Sequence, residues 1–158
     1  MALRLRPLRE DELPAYIEHV RTAYAHELVE QAGLKPAAAQ KKTAVDLARL
    51  FPDGTVPPGN ELYAIEDAGS GERVGDLWFA ERDNDSGEKS LYVYSVEIAP
   101  ELRGRGFGRE AMQLFEDEAR RRGLSEANLT VLGGNEVARS LYRSLGYAER
   151  AVFMSKDL

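Results

Sequence analysis

The residues best suited to chemistry form a glycine- and arginine-rich turn, Arg103-Gly104-Arg105-Gly106-Phe107-Gly108, followed directly by Arg109. The turn separates an apolar segment typical of a β-strand from a segment typical of an α-helix. Glycines let the backbone adopt torsions closed to other residues and approach a ligand closely. The first N–H groups of a helix lack intrahelical partners and carry partial positive charge. The pattern predicts a phosphate-binding turn, with a plain surface turn as the alternative.

Two common phosphate motifs do not fit this turn. The P-loop needs a Gly-Lys-Ser/Thr triplet, which the chain lacks. The dinucleotide fingerprint needs a third glycine where Arg109 stands. The spacing Arg-x-x-Gly-x-Gly, formed here by Arg103, Gly106 and Gly108, resembles instead the pyrophosphate loop of the GCN5-related N-acetyltransferases, the GNAT family.

A second block, from Asn135 to Tyr147, resembles a later motif of the same family. In that motif an Asn opens a short helix, an Ala follows, and a Tyr precedes the triplet Leu-Gly-Tyr/Phe. Here the Tyr is Tyr142 and the triplet is Leu145-Gly146-Tyr147. The two blocks stand in the family's usual order, and the resemblance covers the chain from about Leu62 to the C-terminus.

The resemblance implies that acetyl-CoA binds with its pyrophosphate at the turn of residues 103–109. It also implies that the strands flanking the following helix splay apart, so that backbone groups near Val96 and Ile98 hold the pantetheine arm and polarise the thioester carbonyl. Asn135 would contact the pantetheine or pyrophosphate, with helix capping as the simpler alternative. Tyr142 would protonate or stabilise the departing thiolate, with core packing as its alternative.

One acidic residue, Glu97, stands inside an apolar strand. Strict alternation places it on the face of Val93 and Ser95, opposite Tyr94 and Val96. A carboxylate in such surroundings needs a partner or water. We interpret Glu97 as a general base for an ammonium acceptor, acting through water; the alternative is a structural hydrogen-bonding group.

Two histidines, His19 and His26, lie seven residues apart on the first predicted helix. They are two turns apart and no third ligand is evident, so a metal site is disfavoured and no metal is expected. Either could line the acceptor pocket. Four other residues are candidates for the base should Glu97 not serve: Glu81, Tyr92, Tyr94 and His26.

The composition limits the class of protein. A length of 158 residues suits a single domain over residues 1–158, and 43% hydrophobic with 30% charged residues is typical of a soluble protein. No long apolar run or signal peptide is evident, so we expect a cytoplasmic protein without a membrane partner. The absence of cysteine excludes thiol catalysis. The net charge of −6 disfavours nucleic-acid binding and favours a cationic acceptor.

The elements that position these residues follow from periodicity and turn signals. We predict strands over residues 2–6, 61–66, 73–82, 90–99, 127–132 and 148–155, and helices over residues 11–31, 37–51, 107–122 and 135–145. The second helix is expected to bury Ala44, Leu47, Ala48 and Phe51. Short turns join the three central strands and predict antiparallel pairing, whereas the crossover through the third helix predicts a parallel pair.

The predicted fold class is therefore α+β, or mixed α/β. The resemblance implies the GNAT arrangement, with a mostly antiparallel central sheet, one parallel strand pair at the cofactor site and about four flanking helices.

We predict from these patterns an N-acetyltransferase that moves an acetyl group from acetyl-CoA to a primary amine by direct attack in a ternary complex. The alternative from another class is a non-catalytic acyl-CoA-binding sensor on the same fold. A nucleotide-binding module is disfavoured by the missing motifs, and a longer acyl donor is left open. The acceptor is a small-molecule or peptide amine whose pocket involves the first two helices and the loop of residues 52–60. The oligomeric state is open, a homodimer included.

Overall fold

The chain folds around one five-stranded sheet. In the computed structural model, which describes residues 2–158, the strands lie side by side in chain order. The first four pair antiparallel, and the fourth and fifth pair in parallel. The elements are β1 (Leu3–Pro7), α1 (Leu13–Glu30), α2 (Pro36–Leu50), β2 (Asn60–Asp67), β3 (Arg73–Asp83), β4 (Lys89–Ile98), α3 (Phe107–Arg121), β5 (Ala127–Leu129) and α4 (Glu136–Ser144). This architecture confirms the predicted mixed α/β class.

Both faces of the sheet are buried, because consecutive residues of β3 point to opposite sides. Phe79 faces α3, where its ring centroid lies 5.6 Å from that of Phe115. Trp78 faces the other layer, where its ring lies 4.7 Å from Phe51 at the end of α2. Tyr16 of α1 packs into this second core. Helix α3 therefore covers one face of the sheet, and α1 with α2 covers the other.

A β-bulge in β4 changes the side to which its last residues point. Val93 and Ser95 pair with consecutive residues of β3, so Tyr94 is an extra residue between them. Val93 and Val96 consequently pack in the core beneath α3, whereas Glu97 reaches α1 on the opposite side. The prediction that Glu97 shares a face with Val93 is wrong. The bulge arises from pairing with β3, so alternation within β4 alone could not reveal it.

Helix α2 buries only part of the predicted stripe: Leu47 and Phe51 are buried as predicted, but the two predicted alanines are not. Ala39, Thr43 and Leu47 are buried, whereas Ala44 and Ala48 are exposed. Residues four apart share a helix face, and the face in use is the one that meets α1 and the sheet. Because alanines contribute little to the apolar pattern, the sequence indicated the helix but not which of its faces is buried. No helix within residues 2–158 has both the length and the apolar character of a membrane span.

The last predicted strand, over residues 148–155, is absent. The chain after α4 has no regular secondary structure, and Val152 and Phe153 are 71% and 94% exposed. The parallel strand β5 is also shorter than predicted, since it ends at Leu129. A strand needs a neighbour to satisfy its N–H and C=O groups. Alternating apolar residues do not supply that neighbour, which explains the error.

Candidate active site

The turn after β4 presents the start of α3 to solvent. A 3-10 turn follows β4, and α3 begins at Phe107 with Gly106 as its N-terminal cap. Gly104 and Gly106 have φ values of 77° and 88°, in the left-handed region that favours glycine. A Cβ atom on either glycine would meet no atom within 4 Å. The outer side of the turn is therefore open to a ligand.

The inner side of the same turn is fixed by packing. Phe107 is 4% exposed and belongs to the core beneath α3. Gly108 lies against α4, and a Cβ atom there would stand 3.4 Å from the Cδ2 atom of Leu141. The earliest N–H groups of α3 precede the first helical bond, which runs from the Glu110 N–H to the Gly106 carbonyl. These N–H groups and the helix dipole favour an anion at the turn.

The three arginines of the turn each contact a different part of the chain. Arg103 donates from Nε to the Ile98 carbonyl at 2.9 Å. Arg105 reaches the Glu101 carbonyl at 3.4 Å. Arg109 donates to Ser144 Oγ of α4 at 2.6 Å. Their charges surround the start of α3, but their guanidinium groups do not converge on one point.

One side of β4 lacks a strand partner near the turn. Pairing with β5 ends at Val93 and Leu129. Further along, the Ala99 N–H donates to the Val74 carbonyl of β3 at 2.9 Å. Because backbone groups of successive strand residues point to opposite sides, those of Val96 and Ile98 point away from β3. They border the gap between β4 and β5, and the Ile98 carbonyl already accepts the bond from Arg103.

Helix α1 supplies a partner for the candidate base. The Nε2 atom of His19 lies 2.7 Å from Oε2 of Glu97, and Arg103 lies 3.4 Å from Oε1 of the same carboxylate. The Glu97 side chain is 28% exposed and that of His19 is 52% exposed. The sequence suggested His19 only as a pocket residue. The two residues are 78 positions apart, and no local signal in either segment links them.

Further acidic side chains surround Glu97. Asp76 is its neighbour across the β3–β4 pair, and burial raises the pKa of the Asp76 carboxyl against the opposing effect of Arg73. Burial, and next the negative charge of Glu97, raise the pKa of Glu27 on α1. The buried hydroxyl of Tyr16 has no hydrogen-bond partner within the described chain. This side of the sheet therefore brings the carboxyl groups of Glu27, Asp76 and Glu97 into a partly dehydrated environment that also holds Arg73 and Arg103.

Tyr142 lies on α4, and its ring packs at the edge of the core beneath α3. Its ring centroid is 5.9 Å from that of Tyr147. Burial raises the pKa of the Tyr142 phenol, so the hydroxyl stays protonated at neutral pH and can donate a hydrogen bond. Both the packing and the protonation state are compatible with a role as hydrogen-bond donor to the departing thiolate, and equally with a role in core packing alone.

Helix α4 is held beside α3 and the end of α1. Asn135 caps it, since its Oδ1 accepts a bond from the Ala138 N–H at 3.2 Å. The Gly134 N–H donates to the Gln31 carbonyl at 2.8 Å, and a Cβ atom on Gly134 would come within 2.6 Å of that oxygen. Only glycine permits this approach, which joins the loop before α4 to α1.

The other candidate bases have different surroundings. Glu81 lies 3.2 Å from Arg122 in an ion-pair network beside α3. The Tyr92 hydroxyl is 2.8 Å from Thr130 Oγ1. Tyr94 stacks on Trp78, and His26 is exposed on α1. None of these contacts the pair formed by Glu97 and His19.

The arrangement of the turn, β4 and α3 agrees with the protein family that the sequence matches. Residues 25–147 match the model described as the acetyltransferase (GNAT) family. The chain belongs to the GNAT family. It is therefore an acetyltransferase, and the family uses acetyl-CoA as the acetyl donor. The open glycine turn at the start of α3 fits this donor, because it offers unpaired N–H groups to a pyrophosphate.

Several GNAT proteins resemble this one over much of its length. It is 27% identical to the uncharacterized N-acetyltransferase YycN of Bacillus subtilis over the whole of both chains. The crystal structure of YycN superposes with a TM-score of 0.87 over 99% of each chain. Streptothricin acetyltransferase of Streptomyces lavendulae is 35% identical over 108 residues, which are 65% of this chain and 57% of that protein. A mycothiol acetyltransferase of Gordonia bronchialis is 32% identical over 152 residues, which are 96% of this chain and 45% of that protein.

Proposed function

We propose that this GNAT protein is an N-acetyltransferase that moves the acetyl group of acetyl-CoA to a primary amine, with both substrates bound at once. The observation that carries the proposal is the position of Arg103. Its backbone opens the turn that precedes α3, and its guanidinium lies 3.4 Å from the Glu97 carboxylate. The donor turn and the acidic acceptor side are therefore adjacent, as direct transfer requires.

The donor side would use backbone groups for recognition. The N–H groups that begin α3, between Gly104 and Arg109, would bind the pyrophosphate. The outward backbone groups of Val96 and Ile98 would hold the pantetheine arm beside β4. An N–H in this stretch would polarise the thioester carbonyl. Asn135, whose side chain caps α4, would add a polar contact.

The acceptor side would use side chains for proton transfer. Glu97, held by His19, would take a proton from the ammonium directly or through water, so that a neutral amine attacks the thioester carbonyl. Tyr142 would donate a hydrogen bond or a proton to the departing sulfur. Direct attack requires no covalent enzyme intermediate, which agrees with a chain that has no cysteine.

Two observations narrow the class of acceptor: the carboxyl groups near Glu97 and the substrates for which two relatives are named. The carboxyl groups of Glu27, Asp76 and Glu97 favour a cation. One relative is named for streptothricin and another for mycothiol. We therefore propose a small-molecule or peptide amine as the acceptor.

The test is an acetyl-transfer screen. The protein is incubated with acetyl-CoA and amino acids, polyamines, aminoglycosides or short peptides, and acetylated products are detected by mass spectrometry. Released coenzyme A thiol is measured in parallel, and longer acyl-CoA donors are compared at equal concentration. Saturable acetyl-CoA binding without transfer to any amine would contradict the proposal and indicate an acyl-CoA-binding sensor.

A further inference from the structure

A cleft at the end of α2 has no role in the chemistry described above. It measures about 320 Å³ and lies where the end of α2 and the loop before β2 meet β3 and β4. Its volume is at the lower end of the range of small-molecule sites. Its lining combines two cations with apolar and aromatic surfaces: Arg49, Leu50, Pro57, Asn60, Arg82 and Tyr94.

The cleft is remote from the candidate base along the sheet. Arg82 pairs with Ser90, whereas Asp76 pairs with Glu97. Arg82 follows Asp76 by six residues on β3, which corresponds to about 20 Å at the usual rise of a strand. No residue that lines the cleft belongs to the contact between Glu97 and His19 or to the turn that precedes α3. A ligand of the cleft therefore need not take part in acetyl transfer.

The two arginines of this cleft have unused hydrogen-bond donors. Within residues 2–158, the Arg82 guanidinium forms no ion pair; it lies 4.3 Å above the centroid of the Tyr92 ring. Arg49 has a single acidic neighbour, Asp46, at 3.8 Å, and that carboxylate already accepts two other hydrogen bonds. By contrast, both arginines of α4 are bound by Glu149. Two guanidinium groups with free donors at one cleft favour an anion.

An aromatic wall gives the cleft a defined shape. Trp78 stacks on Tyr94 with ring centroids 4.6 Å apart and an interplanar angle of 17°. The Trp78 indole N–H donates to Asn60 Oδ1 at 2.9 Å, which joins the loop before β2 to this wall. Leu50 and Pro57 add apolar surface to the lining. A ligand that fills the cleft should therefore carry an apolar or aromatic body beside its negative charge.

A carboxylate fits both the arginines and the apolar lining. The planar guanidinium group binds a carboxylate through two parallel N–H···O bonds. Inorganic phosphate also matches the guanidinium group, but the apolar lining stabilises only an anion that carries hydrocarbon. We propose that this cleft binds a small carboxylate with an aromatic or branched apolar body, held by Arg82 and Arg49. The site goes beyond the proposed N-acetyltransferase function and does not depend on it.

The first test compares phenylacetate with three probes that each lack one feature: neutral phenylacetamide, and acetate and inorganic phosphate without the apolar body. Trp78 is the only tryptophan and contacts Tyr94 and Asn60 of the lining, so its fluorescence reports occupancy, and calorimetry measures the affinity. Phenylacetate should bind saturably at millimolar concentrations, and roughly tenfold more tightly than each of the other probes. No saturable binding, or equal affinity for acid and amide, would overturn the anion site. Tighter binding of phosphate would overturn the carboxylate.

The second test removes the charges of the cleft. Arg82→Gln should weaken phenylacetate binding by roughly 10- to 100-fold, the usual effect of losing a charged hydrogen bond, and leave phenylacetamide binding unchanged. Arg49→Gln should have a smaller effect, because this side chain is 76% exposed. Arg21→Gln, on the exposed side of α1, is the matched control and should change neither affinity. Urea unfolding verifies that each variant is folded. Phenylacetate binding that survives both cleft substitutions would overturn the site.

A competition experiment separates this site from the acetyl-transfer centre. Coenzyme A should change the affinity for phenylacetate by no more than about twofold, and the reverse effect should be of the same size. Displacement of phenylacetate by coenzyme A would assign the anion to the donor site and overturn the inference. Independent binding of the two would keep the inference even if the acetyl-transfer screen finds no acceptor, so the two proposals fail separately.

Discussion

Glu97 and His19 form the contact on which the proposed chemistry depends most. An ammonium acceptor is mostly protonated at neutral pH, since a lysine-type amine has a pKa near 10 and an N-terminal amine a pKa near 8. A base must therefore act before attack. The 2.7 Å contact holds the Glu97 carboxylate toward α1, where His19 connects it to solvent.

Glu97→Gln keeps the shape of the side chain and removes its charge. We expect kcat/KM to fall by roughly 100-fold near neutral pH and by much less at alkaline pH, where the free amine is abundant. The measurement is the pH profile of kcat/KM for both proteins. A loss of the same size at every pH would assign Glu97 to binding or structure, and no loss would place the base elsewhere.

His19→Asn tests the partner of the base. We expect kcat/KM to fall by roughly tenfold near neutral pH, because the carboxylate loses its orienting contact but remains present. His26→Asn is the matched control on the exposed part of the same helix and should leave the profile unchanged. Equal effects of the two variants would contradict a specific role for His19.

Tyr142→Phe keeps the packed ring and removes only the hydroxyl. If the hydroxyl serves the departing sulfur, kcat should fall by roughly 10- to 1,000-fold while the affinity for coenzyme A stays within about twofold. A single-turnover assay measures the chemical step, and calorimetry measures binding. Normal single-turnover rates would leave Tyr142 as a core aromatic residue.

At the scale of elements, the start of α3 and the bulge in β4 define the site between them. The bulge turns Glu97 toward α1, while the left-handed Gly106 exposes the first N–H groups of α3. In the proposed transfer both features would be needed, because the acetyl group would lie between the turn that binds the donor and the Glu97 carboxylate. The close contact of Gly134 with Gln31 completes the arrangement by holding the loop before α4 against α1.

Gly106→Val tests the donor turn. The branched side chain would block the open side of the turn and oppose the φ of 88°, so we expect coenzyme A affinity to fall by at least tenfold. Backbone strain should also cost about 1–3 kcal/mol of stability. Gly87→Val is the control, because Gly87 has a φ of 77° with no atom near its Cβ position, in the turn between β3 and β4. Calorimetry that finds unchanged affinity in folded Gly106→Val protein would move the pyrophosphate elsewhere.

At the scale of the whole molecule, one ion-pair network joins the first two strands to the start of α1. Arg6 of β1 lies 2.6 Å from Glu66 of β2 and 3.0 Å from Glu12, which precedes α1. Hydrogen bonds from Arg6 are the main cause that lowers the pKa of Glu12 to about 2. The same guanidinium, followed by Arg4, lowers the pKa of Glu66. The start of α1 is thus tied to the sheet edge opposite β5.

These depressed pKa values predict weaker folding in acid. A carboxyl whose pKa is lower in the folded chain stabilises it above the unfolded pKa, and that contribution disappears as the pH falls from about 4.5 to about 2. The raised pKa values of Asp76 and Glu27 act in the opposite direction and offset part of the loss. Between neutral pH and acid, the Glu12→Gln variant should lose about 1 kcal/mol less unfolding free energy than the wild-type protein does. This size is expected for a partly exposed ion-pair network.

Urea unfolding at neutral pH and across the acid range measures this effect. The wild-type protein should lose more stability on acidification than the Glu12→Gln variant does. Identical pH dependence in the two proteins would show that Glu12 titrates normally in the folded chain.

Several features were predictable because they depend on neighbours in the sequence. The turn of residues 103–109 and the helix that follows it are specified by glycine spacing, amphipathic period and a C-terminal Gly123 with a φ of 74°. The cap at Asn135 is equally local. The family match over residues 25–147 confirms what these two blocks indicated. Short turns between strands likewise fixed the antiparallel order of the central sheet.

Other features were decided by contacts between distant segments. The side to which Glu97 points depends on the pairing of β4 with β3, which inserts Tyr94 as a bulge. The contact with His19 depends on how α1 lies across that face. The predicted strand over residues 148–155 had the right alternation but no partner strand in the structure. Arg49 of α2 and Arg82 of β3 line the same cleft only because the end of α2 packs against β3, with Phe51 on Trp78. Sequence neighbours set local torsions and periodicity, whereas side-chain partners across the fold follow from packing the elements together, which no single segment encodes.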